Sequence, residues 1–558
     1  MKNTNHNISR RRFLKQASCA AIGSTGVLST LFNLRMANIA SAQTSIDNDY
    51  KALVCLFLAG GNDSYNMLVP TEASEYANYQ AVRGSVALPT TGDDALLPIN
   101  ALDTNGRSFA IHPAMPELQA LFNSGNVAFV SNVGTLVEPT TMAQFKSGSV
   151  SLPRALFSHN DQITQWQTVM PQIASPTGWT GRIADVLTDP AQPQSISMNI
   201  SLAGNNIMQV GATTTHYSIS SDGAVSLDGK HANANSDRFF RYSLVAGADE
   251  DDVTSLIGQS YQNLFERTYL EQIKQTVEMD RLFADSYATA AGLADYSAFD
   301  PYLGDADVGD DELMQELQSV AQMIAARDLL GAKRQVFMIV VGGWDHHDEL
   351  LGTQHVLLGY LSRAMKAFWD TLGNMGMQDN VLTFTSSDFG RTLRTNGRGT
   401  DHAWGGNHMI MGGAPLNGQR VHGTYPEPSD YALAQGLDVG SNGRMLPTTS
   451  VDQYVAEMAL WLGVDYGNLE AVLPNITNFY TPGSTDLPIG YIKPEQMPPT
   501  AFSAPTSAVT MKEAQAIAQS DQLDVTKTGL IVGAGAAATA AMIALRERRS
   551  THARSLST

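Results

Sequence analysis

Four short segments hold the side chains that could do chemistry. "GGNDS", residues 60–64, offers Asn62, Asp63 and Ser64, and "GGWDHHDE", residues 342–349, offers Asp345, His346, His347, Asp348 and Glu349. "SSDFGRT", residues 386–392, adds Asp388 and Arg391, and "GTDHAWGGNH", residues 399–408, adds Asp401, His402 and His408. Four of the chain's 12 histidines fall in these segments, so imidazole is concentrated where carboxylates already cluster. Carboxylates and imidazoles gathered from separate places are what a two-cation site requires. Oxygen ligands suit hard ions, and imidazole shifts the preference toward zinc, manganese or iron. Adjacent glycines let backbone approach such ions closely. Taken singly, each segment also has a plain structural reading: a turn after a strand, a solvated loop, or a helix cap at Asp401.

The elements that must position them are buried strands. Residues 52–59 form a continuous apolar run that stops at Gly60-Gly61, and 126–134, 335–343, 380–390 and the shorter 408–413 read alike. Such runs suit strands covered on both faces. Helical patterns lie between them. Residues 312–330 place Leu313, Leu317, Val320, Met323 and Ile324 on one side, and 353–373 do the same with Val356, Leu357, Tyr360, Leu361, Met365 and Phe368. The alternation predicts an α/β fold, a mostly parallel sheet with helices on both faces. Ligands of such sheets bind beyond the carboxyl ends of the strands, where the acidic and histidine segments fall. Residues 190–235, rich in Ser, Thr, Asn and Gly, read as a small β-rich insertion or cap within a broader insertion of about 186–320.

The formal net charge of −19 is unevenly spread. Residues 1–42 carry six Lys or Arg and no acid, so the remainder stands at −25. An acidic body lacks the clustered cations that nucleic acid needs, while a small anionic substrate remains compatible if bound metal inverts the local charge. Ser9–Lys15 reads "SRRRFLK", followed by a weakly apolar stretch and the small-residue site Ala40-Ser41-Ala42 before Gln43. This order resembles a twin-arginine export signal over residues 1–42, which implies the twin-arginine translocase as a partner and a periplasmic or other extracytoplasmic location. Cys19 lies in that segment, leaving Cys55 inside an apolar run, a core thiol.

At the other end, residues 481–527 read as a Pro- and Ser-rich linker after a domain ending near 480. Thr528–Leu545 is 18 residues without a charge, bracketed by Lys527 and Arg546, with a basic tail to Thr558. It reads as a membrane helix anchoring the exported domain, or as an Ala-rich helix packed on the protein.

Together, the export signal, "FLAGGNDSYNMLVP", "SDFGRT" and "GTDHAWGGNHMIMGG" resemble the exported bacterial family catalogued as domain of unknown function 1501 (DUF1501), over roughly residues 45–465. That family in turn is similar to the alkaline phosphatase-like superfamily, whose members hold two metals at the ends of a parallel sheet while a Ser, Thr or modified Cys attacks a phosphorus or sulfur ester. The resemblance implies divalent ions (zinc, manganese, calcium or magnesium) held by Asp63, by Asp345 with His346 or His347, by Asp388, and by His402 or His408. It also implies a nucleophile after the second strand. There "ALFSHNDQITQW", residues 155–166, sets Ser158 beside His159 and Asp161; Ser158 equally suits a helix N-cap. Arg391 would clamp a tetrahedral anion. Two departures stand out. Phe389 occupies the histidine place of the superfamily's Asp-His-Gly element, and Glu349 stands where a further histidine is common. Both disfavour a full two-zinc site and favour a harder or a single ion. No Cys-x-Pro-x-Arg segment is present, which disfavours a formylglycine sulfatase. Two functions follow: a metal-dependent hydrolase of phosphate or sulfate esters, acting on a small anionic ester or a polysaccharide, or a non-catalytic envelope binding protein that retains the fold and a structural metal.

Overall fold

The computed structural model describes residues 42–43, 50–104, 106–189, 197–220, 223–224, 282–303, 311–427, 437–440 and 442–499. Most of residues 1–42, which the sequence suggests as an export signal, together with the uncharged segment 528–545 and the basic tail, lie outside the described residues. Among the described residues, no helix is long and apolar enough to cross a membrane.

In chain order the strands are β1 (Lys51–Leu58), β2 (Leu68–Pro70), β3 (Leu97–Ile99), β4 (Phe109–Ile111), β5 (Val127–Gly134), β6 (Asn199–Ser201), β7 (Tyr217–Ser220), β8 (Gly223–Ala224), β9 (Arg334–Val341), β10 (Val381–Ser387), β11 (Gly406–Met411), β12 (Val421–Gly423) and β13 (Thr449–Ser450). The principal helices are α1 (Ala73–Arg83), α2 (Pro116–Asn123), α3 (His159–Thr168), α4 (Trp179–Leu187), α5 (Asp311–Ala325), α6 (Leu350–Asn374) and α7 (Val451–Leu462). A further two-residue ladder pairs Ala42–Gln43 with Thr188–Asp189.

One large sheet runs in the order β8-β7-β6-β9-β1-β10-β11-β5-β12, with β13 also beside β5. Strands β7, β6, β9, β1 and β10 are parallel. Strand β11 is antiparallel to both neighbours, and β12 and β13 run parallel to β5. A small antiparallel sheet, β2-β4-β3, lies apart.

The continuous apolar runs are explained by cover on both faces. Ala52, Val54, Leu56 and Leu58 of β1 join a core with Leu317, Val320 and Ile324 of α5 and Leu361, Met365 and Phe368 of α6. The alternate residues Leu53, Cys55 and Phe57 join a second core with Ile183 and Leu187 of α4 and Val455, Met458 and Leu462 of α7. A strand's side chains alternate between faces, so each run must be apolar throughout when both faces are packed. Each fully buried Leu, Val or Phe contributes about 1.5–3 kcal/mol. Cys55 is fully buried, 3.3 Å from the Ser386 hydroxyl, and burial pushes its thiol up to about 12.

The sheet is mostly parallel, as expected, and three details refine that reading. Strand β11 is antiparallel because no helix intervenes after β10: residues 388–405 loop back at the sheet edge where β10 ends, so the next strand must start there. Within 190–235, the described strands β6 and β7 extend the main sheet beside β9. Residues 481–499 are not a free linker. Tyr491 and Ile492 are fully buried, and the Glu457 carboxylate accepts the backbone N–H groups of Ile489 (2.6 Å) and Ile492 (2.9 Å).

Candidate metal centre

Strands β1, β9 and β10 end side by side, and the loops that follow them are tied together by backbone and guanidinium. Gly60 has φ 120°, and its N–H donates to Asp388 Oδ1 at 3.0 Å. A Cβ on Gly60 would lie 2.5 Å from the Asp345 backbone nitrogen, so only glycine lets these loops touch. Arg391 crosses all three. Its Nε donates to Gly61 O (2.8 Å), Nη1 to Thr400 O (2.7 Å), and Nη2 to Gly60 O (2.6 Å) and to the Asp345 carboxylate. The side chain is fully buried.

Three imidazoles converge on Asp345. Its Oδ1 lies 3.2 Å from His347 Nε2, 3.4 Å from His402 Nε2 and 3.7 Å from His159 Nε2. The Nε2 atoms themselves are close: 2.8 Å between His347 and His402, 3.1 Å between His159 and His402. Each Nδ1 faces an acceptor. His159 Nδ1 meets Asp388 Oδ2 at 2.6 Å, His402 Nδ1 meets Phe157 O at 2.9 Å, and His347 Nδ1 meets Asp401 Oδ1 at 3.3 Å. These partners hold the proton on Nδ1 and leave the Nε2 lone pairs pointing inward. A carboxylate or carbonyl on the far nitrogen is the usual support of a metal-binding histidine. Lone pairs this close are tolerated only around a shared cation or proton. Donor atoms of His159, Asp345 and His402 all lie within 4.8 Å of one another, and the set of imidazole nitrogens with one carboxylate oxygen fits a divalent ion.

The electrostatics agree. Burial raises the Asp345 carboxyl, but the Arg391 hydrogen bond and charge, with His347 and His159, hold it below its ordinary value. Burial holds His402 low, with further lowering by Arg391, His159 and His347, against the Phe157 carbonyl. The anion of Asp345 and the neutral form of His402 are the forms a cation binds.

Phe389 forms the wall of the site. Its ring lies 4.8 Å from His159 and 4.6 Å from His402, centroid to centroid. His159 therefore supplies an imidazole at Asp388, packed against the phenylalanine that stands in the expected histidine position.

The structure sorts the sequence candidates. Asp345, His347 and His402 come together. Asp388 is adjacent, but its two oxygens are engaged by Gly60 and His159, so it orients an imidazole instead of facing the cluster. Asp63 is not in the cluster: fully buried, it pairs with Arg83 at 2.7 Å and accepts from Thr400 Oγ1 at 2.8 Å. His346 turns inward beside Trp344, 6.1 Å between centroids, and burial lowers it to about 4. His408 points into the second core, 4.7 Å from Trp166 and 5.6 Å from Tyr454, and burial lowers it to about 3. Two tight turns, closed by His346 N–H to Trp344 O and His347 N–H to Asp345 O (both 3.0 Å), bend the loop here and separate His346 from its two neighbours. Arg391 is a brace, not a free anion clamp. Ser158 occupies the N-cap of α3 without a capping hydrogen bond, and its Oγ donates to Asp161 Oδ2 at 2.7 Å. The residue missed as a ligand is His159. Its signal was its place directly after Ser158 in the segment following β5. Among the described residues no second group of metal-ligating side chains forms.

A family model described as "Protein of unknown function (DUF1501)" matches residues 50–441. The chain belongs to the DUF1501 family. Every residue of the DUF1501 cluster falls inside that match. No curated protein matches the chain. Among solved structures, the lipoteichoic acid synthase LtaP from Listeria monocytogenes aligns at 9% identity over 69% of this chain and 72% of that one, with a TM-score of 0.25. Ps i-CgsB, solved in complex with k-i-k-neocarrahexaose, aligns at 11% identity over 71% and 74%, with a TM-score of 0.23. The chemistry of this DUF1501 member is therefore read from its side chains alone.

Proposed function

We propose that this protein is a hydrolase of phosphate or sulfate esters that uses one divalent ion, held by His159, Asp345, His347 and His402. The observation that carries the reading is the inward convergence of three Nε2 lone pairs on Asp345 Oδ1, each imidazole fixed from behind. Three nitrogens with one oxygen favour zinc, manganese or iron over calcium or magnesium. An ion bound there would supply Lewis acidity toward an ester oxygen. The chain's own residues then have defined tasks. Asp388 and the Phe157 carbonyl keep His159 and His402 in the Nδ1–H tautomer. Arg391 keeps Asp345 ionised and aimed. Phe389 excludes water from one side. Asp63 is neutralised by Arg83, which supports one ion and not two.

One observation favours the binding-protein alternative: the Ser158 hydroxyl is engaged by Asp161, and among the described residues no other hydroxyl bonds to His159, Asp345, His347 or His402. Assay of the zinc-, manganese- and iron-loaded protein against p-nitrophenyl phosphate and p-nitrophenyl sulfate separates the two. The hydrolase reading predicts turnover that His402→Ala abolishes. Metal binding without turnover of either ester would support the binding protein. Export through the twin-arginine pathway to a periplasmic location, with 528–545 as an anchor, is part of the same proposal and rests on the sequence.

A further inference from the structure

Of the arginines around the site, several are paired with carboxylates: Arg391 with Asp345, Arg83 with Asp63, and Arg398 with Asp348 and Glu349. Arg444 is different. Its Nε donates to the backbone carbonyl of His402 at 2.9 Å, and its guanidinium carbon lies 4.4 Å from the centroid of the Phe157 ring. The nearby Asp438 forms no ion pair with it; that carboxylate accepts the backbone N–H groups of Gly440 (2.9 Å), Gly443 (3.0 Å) and Arg444 itself (3.1 Å). Among the described residues Arg444 forms no ion pair, and Nη1 and Nη2 have no protein acceptor. The side chain is half-buried, not fully covered.

The two residues that fix Arg444 also build the metal cluster. His402 supplies an inward Nε2, and Phe157 supplies the carbonyl that holds His402 Nδ1. Phe157 has φ 73°, a left-handed conformation that a bulky side chain rarely adopts. That turn delivers its carbonyl to His402 and its ring to Arg444 together. An aromatic face under a guanidinium restrains it flat and leaves its edge donors free. In a chain with 54 acids against 35 basic residues, an immobilised cation with no anionic partner among the described residues, beside a candidate metal centre, is placed to take an anion from outside.

We propose that Arg444 binds a tetrahedral oxyanion of the substrate, a phosphate or sulfate group, through its two Nη groups. The assignment rests on the hydrolase reading and gives Arg444 the role that the sequence suggested for Arg391. Charge-assisted hydrogen bonds of this kind are worth about ten- to hundredfold in affinity.

The test is calorimetric titration of inorganic phosphate, and separately inorganic sulfate, into the metal-loaded full-length protein. Arg444→Gln should weaken the preferred anion by about ten- to hundredfold with bound metal unchanged. Arg444→Lys, which keeps charge but not the fork, should fall between. Phe157→Leu keeps the backbone carbonyl and should weaken the anion by a smaller factor, which serves if Arg444→Gln does not fold. Unchanged anion affinity in Arg444→Gln, or loss of metal in step with the anion, would overturn the assignment. Wild-type protein that holds metal but binds neither anion would fail the ester-hydrolase reading itself.

Discussion

Each inward-facing imidazole depends on one partner behind it, and the consequences can be stated residue by residue. Asp388→Asn keeps the shape but places an amide against His159 Nδ1, which removes the charge that fixes the tautomer. Metal affinity should fall about 10–100-fold, as measured by competition with a chelator, while the protein stays folded. Asp63 gives the opposite result. Its partner is Arg83, with both side chains fully buried, so Asp63→Asn should leave the metal count unchanged and lower stability. Breaking such a pair from one side costs about 3–5 kcal/mol, readable in urea unfolding. Loss of metal in Asp63→Asn with stability unaltered would place Asp63 back in the site. At this scale the sequence revealed which segments carry the chemistry but not which side chains face inward. His346 and His347 are equivalent as letters; the loop path alone turns one into the cluster and the other toward Trp344. His159 was obscured because its neighbour Ser158 has the more familiar catalytic side chain.

Among the elements, the buried strands β1, β5, β9 and β10 were readable within three residues at each end, since a strand covered on both faces must be apolar throughout. The direction of β11 was not readable, because it depends on the path of the loop 388–405 and not on the strand's own residues. That return is sterically exact in one place. A Cβ on Gly390 would lie 2.0 Å from the Gly405 carbonyl oxygen, backbone against backbone, so relief requires the two legs of the loop to separate. Gly390→Ala should therefore destabilise the fold by about 1–3 kcal/mol and weaken metal binding, because Asp388 and His402 sit on opposite legs. Calorimetric unfolding with and without added metal would show it. A fully stable Gly390→Ala protein with native metal affinity would contradict the loop packing.

Over the whole molecule, buried histidines set the response to acid. Burial lowers His112 and His408 to about 3 and His216 and His422 to about 4. Above the unfolded value near 6.5 both states are neutral. As pH falls below it, the unfolded chain takes up protons that the native state refuses, so stability declines toward the folded values, at about 1.4 kcal/mol per pH unit for each group. Glu457, raised to about 7 by burial, and Asp452, raised well above its ordinary value by burial, act in the opposite sense. With His346, also lowered to about 4 by burial, five histidines outnumber them, so the urea midpoint should drop from pH 7 to pH 5. His408→Gln, which cannot take up that proton, should drop less than the parent. A midpoint that rises on acidification would refute this balance.

The proposed centre is a single divalent ion held by His159, Asp345, His347 and His402. The most direct measurement is elemental analysis of the purified full-length protein after loading and gel filtration, in parallel with the His159→Ala and His402→Ala variants. One divalent ion per chain is expected in the parent, with a large loss in each variant and the fold intact. Two ions per chain, or a metal content that neither substitution lowers, would contradict it.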